Sequence, residues 1–128
     1  MLRAWTYGLG VLLVVHGTWF VALQIGELPG AMVALLWLSS IVAAFISAYL
    51  APQKKVGLGI SMAIPTTVLA VLLNSVYQLS GKAVDLAGFQ GGVILAVVVL
   101  VESAILCSLG AFFGSYLSNR KLKKHPAR

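Results

Sequence analysis

The chain is 128 residues long, 60% hydrophobic and only 9% charged, with a mean hydropathy of +1.00. Soluble domains carry about 25% charged residues, so a soluble globular protein is excluded. At about 1.5 Å of rise per residue and about 20 residues per crossing, the chain suffices for four membrane spans and leaves no room for a soluble domain.

The first span is expected over residues 5–25. Arg3 and the apolar run after it resemble a signal peptide, but the run continues to Ile25 with no A-x-A-like site, so the span reads as uncleaved. A tight turn, Gly26-Glu27-Leu28-Pro29-Gly30, leads to a second span over 31–51, which stops at Pro52 before Lys54 and Lys55. The third span covers 56–79. Pro65 lies inside it, removes the hydrogen bond to the Ser61 carbonyl and predicts a kink, with Thr66 and Thr67 placed to satisfy freed backbone groups. A loop over 80–90 precedes the fourth span, 92–117. The domain reading is one transmembrane domain, 1–119, and a basic tail, 120–128.

The nine Lys and Arg against three Asp and Glu give a formal charge of +6. With four spans, Arg3, Lys54, Lys55, Arg120, Lys121, Lys123, Lys124 and Arg128 fall on one side, and Lys82 stands alone on the other. The positive-inside bias makes that side cytoplasmic, with both termini on it. Trp5, Tyr7, Tyr49 and Tyr116 fall at the same interface, and Tyr77 and Phe89 near the opposite one, as aromatic belts do. Arg120, Lys121, Lys123 and Lys124 are expected to contact anionic lipid, each contributing about 1 kcal/mol of attraction. The basic charge flanks spans and no soluble fold presents it as a patch, so nucleic-acid binding is not expected. This charge bias, without organelle signals, points to a bacterial inner membrane.

Short connections favour antiparallel neighbours, so the expected fold is an all-α, four-span antiparallel transmembrane helix bundle. Lipid gives helices no hydrophobic reason to associate, so packing must come from close approach over small residues. Each span has such a face: Thr6, Gly10, Gly17 and Gln24; Ser40, Ala44, Ser47 and Ala51; Gly59, Ala63, Thr67, Ala70, Asn74 and Gln78; Ser103, Cys107, Gly110 and Gly114. Gly10, Gly59, Gly110 and Gly114 are the expected packing glycines, the last two within a literal G-x-x-x-G. Packing inside the bundle is preferred to a specific dimer motif. A repeat is also visible. Gly8-Leu9-Gly10 matches Gly57-Leu58-Gly59, and residues 44–50 (AFISAYL) match 111–117 (AFFGSYL), which would make the hairpins parallel repeats about an axis along the membrane normal. Interfacial tyrosines before lysines also arise from anchoring alone.

Glu102 is the sharpest chemical feature. It lies about 22 Å from the Leu117 end of the fourth span at helical rise, inside the hydrocarbon. An ionised carboxylate there costs roughly 2.5 kcal/mol or more on insertion scales, so the group must be protonated, paired or hydrated. His16 lies about 16 Å and Asn74 about 27 Å from the same side, so the three could form an intramembrane polar site. Cys107 is the lone cysteine and reads as a small apolar side chain. Three acids and two histidines assemble no catalytic set, metal site or cofactor motif, so no enzyme is expected.

Two functional classes remain. The leading expectation is a non-catalytic accessory, assembly or structural subunit whose partners are lipid, itself or other membrane proteins. In that role Glu102 would bond to Asn74, to a backbone carbonyl or to a partner protein. The alternative is a minimal oligomeric transporter or channel, proton- or ion-coupled, with Glu102 as its working group.

Overall fold

The computed structural model describes residues 1–25, 30–79 and 88–124, with the side chains of 23, 30–33, 77, 88–91 and 122–124 left out. The turn after Ile25, most of the loop after Leu79 and the last four residues therefore lie outside the described residues, as do the side chains of Tyr77, Phe89, Lys123 and Lys124. The described residues form helices α1 (Leu2–Ile25), α2 (Gly30–Leu50), α3 (Lys55–Ile60), α4 (Ala63–Leu79) and α5 (Gly88–Lys124), with no strand among them. Apolar segments that must satisfy every backbone group without water have this outcome. Leu2–Ala22, Lys55–Val76 and Gly92–Lys121 are each long and apolar enough to cross a membrane, and Ala34–Leu50 is a shorter apolar helix.

Three boundaries differ from expectation. α1 starts at Leu2 rather than Trp5. α5 starts at Gly88 and continues to Lys124, so the basic residues 120–124 extend a helix instead of forming a separate tail. Arginine and lysine are good helix formers, and after Leu117 the sequence has no strong breaker before Pro126. At 37 residues α5 is about 55 Å long.

The third span is interrupted where Pro65 has its effect, at the Ser61 carbonyl four residues earlier. α3 ends there and α4 begins two residues later. The Ser61 carbonyl instead accepts the Ile64 amide at 3.2 Å, and the Met62 amide donates to Gly59 O at 3.1 Å, a tighter three-residue turn. Thr66 and Thr67 hydroxyls donate to the Met62 and Ala63 carbonyls, each at 2.8 Å. The break lies nearer the Lys54 and Lys55 end than mid-membrane.

α2 and α5 form the most extensive helix pair; α1 lies against α2, and α3 and α4 lie against α5. The α2 and α5 contacts rise together in number: Cys107 Sγ donates to Ser40 O at 3.6 Å, Gly110 meets Ile41 and Gly114 meets Phe45. These helices therefore run parallel where they touch, so the principal interface of the bundle is a parallel one. Sequential neighbours are antiparallel, but the most extensive contact joins two helices that are not sequential. At the end of this pair, Lys55 Nζ donates to Ser118 Oγ at 2.9 Å and to Asn119 Oδ1 at 2.8 Å. The basic ends of α3 and α5 are thus joined.

Among the described residues burial is confined to this half. Leu12, Ala43, Ala44, Met62, Ala63 and Cys107 make the core. Moving away from the basic end, α1 has no described buried residue beyond His16, α4 none beyond Thr66, α5 none before Ser103 and α2 none before Ser39. The bundle is close-packed at one end and splayed at the other.

Candidate functional site

Where the packed half gives way to the splayed half, a cavity of about 230 Å³ opens, lined by His16, Asn74 and Glu102 together. All four long helices contribute to it. Each polar group continues an inward stripe of the packed half by one turn or more. On α1 the buried stripe is Ala4, Gly8, Leu12 and His16; on α5, Ser103 follows Gly110 and Cys107 outward, with Glu102 beside it.

His16 is buried, and its Nδ1 lies 2.9 Å from the Leu12 carbonyl. A carbonyl oxygen only accepts, so Nδ1 carries a hydrogen, and Nε2 lies on the far side of the ring. Glu102 and Asn74 are half-buried, and neither has a hydrogen bond or ion pair among the described residues. The structure brings the three to one space without joining Glu102 to Asn74. Leu95, Val99 and Leu106 of the Glu102 stripe share the cavity wall, whereas Leu109 and Phe113 are exposed.

Other lining residues were not apparent as site residues in the sequence. Trp19 of α1 and Trp37 of α2 both line the cavity, as do the hydroxyl residues Ser40, Thr66 and Ser103. The signal for the tryptophans was depth. Interfacial belts place Trp at the membrane surface, yet Trp19 is about 21 Å above Trp5 at helical rise. Trp37 lies about 20 Å from Leu50 on the same measure.

The packing glycines fall elsewhere. A Cβ at Gly110 or Gly114 would strike the backbone of Ile41 or Phe45, and one at Gly59 would strike Ala111 and, at 2.9 Å, the Ala44 carbonyl. Gly10 has nothing within 4 Å of its Cβ position, and Gly8 is the close-contact glycine of α1, 2.8 Å from Ala43 O. The sequence expectation for Gly10 is thereby corrected. Two residues along a helix is a turn of about 200°, so Gly10 faces away from the stripe of Gly8. Arg120 and Lys121 are exposed at the basic end. Among the described residues no group of three His, Cys, Asp or Glu could hold a metal ion.

Comparison of the chain with protein-family models, with curated proteins and with solved structures finds no match in any of the three.

Proposed function

We propose that this chain is a small four-span transporter of a bacterial inner membrane, proton- or ion-coupled, with Glu102 as its coupling group and His16 and Asn74 beside it. The observation that carries this reading is the convergence of three intramembrane polar side chains on one cavity in which Glu102 has no partner among the described residues. Interhelical glue works by contact; a working site needs reachable groups and space. The cavity lies at the start of the splayed half, and glycine packing closes the half toward the basic end. We place that basic end, with both termini, in the cytoplasm. The lipid partners are anionic headgroups at Arg120, Lys121, Lys123 and Lys124, and a second copy of the chain completes the assembly. No catalytic step and no cofactor enters this account.

We also take the hairpins as parallel repeats. The sequence match is the support, since Gly59 meets Ala44 and Ala111 whereas its equivalent Gly10 meets nothing within 4 Å.

Flux in proteoliposomes tests the coupling role: Glu102→Gln should abolish proton-dependent flux while the protein still folds and assembles. A second reading, an accessory subunit, is favoured by one observation. Trp37 is 54% exposed in the splayed half, where a helix of a partner protein would cover it. Native mass spectrometry after gentle extraction separates the two, since co-purifying larger subunits support the accessory role and a homo-oligomer supports transport.

A further inference from the structure

Among the described residues the cavity wall contains one carboxylate and no lysine or arginine. His16 turns Nδ1 to the Leu12 carbonyl and so keeps that donor on its own helix. The site therefore complements one positive charge. Two indoles, Trp19 and Trp37, brought from different helices, share the cavity wall with Glu102, and indole is the best aromatic partner for a cation. The remaining wall is mostly leucine, valine and alanine. The Thr66 hydroxyl is turned onto its own helix, donating to Met62 O at 2.8 Å. A bare inorganic cation takes about six or more oxygen ligands when held by hard donors, which here would need every side-chain oxygen of Glu102, Asn74, Ser40, Thr66 and Ser103 at once, whereas the Ser40 and Thr66 hydroxyls turn to carbonyls of their own helices. A cation carrying its own apolar body would suit it, because such an ion needs no hydrogen bonds and is weakly hydrated. An engineered cavity of about 150 Å³ accommodates benzene, so the 230 Å³ here corresponds to a body of about ten non-hydrogen atoms.

We propose that this cavity binds a lipophilic monovalent organic cation, its charge paired with Glu102 and its apolar body held against Trp19 and Trp37. This names the substrate class of the transport reading and rests on it.

The test uses the full chain in phosphatidylcholine nanodiscs, which carry no net anionic lipid. Phenyltrimethylammonium is titrated by calorimetry and by intrinsic tryptophan fluorescence, against empty nanodiscs. Its neutral isostere, tert-butylbenzene, is titrated in parallel. The expected result is saturable binding of the cation, at least tenfold tighter than of the isostere, and weakened at least tenfold by Glu102→Gln and several-fold by Trp37→Leu. Equal binding of the two ligands, or no saturable binding of either, overturns the proposal. The ligand pair is compared on the wild-type chain, so the result stands even if a variant fails to fold. Proton flux that depends on Glu102 without cation selectivity would overturn the substrate class alone. Flux indifferent to Glu102 would remove the transport reading beneath it.

Discussion

Gly110 of α5 lies against the backbone of Ile41 in α2, so closely that a methyl group at Gly110 would come within 2.9 Å of the Ile41 carbonyl carbon. Gly114 repeats the relationship with Phe45 one turn on. The G-x-x-x-G is thereby used inside the bundle, in its close-packed half, and is not free to join two chains.

Gly110→Ala should therefore destabilise the fold by about 1–3 kcal/mol, the usual cost of overpacking. Gly10→Ala meets nothing within 4 Å and should be neutral or stabilising by up to about 1 kcal/mol, since alanine loses less backbone entropy in a helix. Thermal unfolding in detergent compares them, and equal midpoints would contradict the packing described.

Lys55 joins the start of α3 to the end of α5 through Ser118 and Asn119. These bonds are partly exposed, so Lys55→Met should cost only about 1 kcal/mol after solvent screening. Its effect should be local. Hydrogen exchange should quicken over residues 115–121 and stay unchanged around Cys107, and uniform quickening would show that the contact matters to the whole bundle instead.

The placement of the basic end can be tested with single cysteines, because Cys107 is fully buried and should not react. A membrane-impermeant maleimide should label Gln53→Cys and Asn119→Cys only from the cytoplasmic side of inverted vesicles, and Leu79→Cys only from the opposite side. Labelling of all three from one side would show that neither the third nor the fourth span crosses.

Much of this was legible from spacing alone. Helical rise put His16, Asn74 and Glu102 at neighbouring depths, and the cavity holds all three. Depth is fixed by counting residues, whereas direction around the helix is not. That is why the spacing points to Gly10 as the packing glycine where the structure uses Gly8. The break at Ser61 follows from the missing amide of Pro65, but its resolution into a three-residue turn depends on the Ile64 and Met62 amides finding nearer carbonyls. The close contact of α2 with α5 was hidden because it joins segments 67–69 positions apart that no short loop connects.

The central claim is that Glu102 is a working group in a cavity rather than a tie between helices. Its most direct test is proton flux into proteoliposomes holding the wild type or Glu102→Gln, with elution volume and melting temperature measured on the same preparations. The account predicts that flux falls to the level of empty liposomes while elution and melting stay within error of the wild type. Unchanged flux, together with a lowered melting temperature or a lost oligomer, would contradict it and make Glu102 a structural contact.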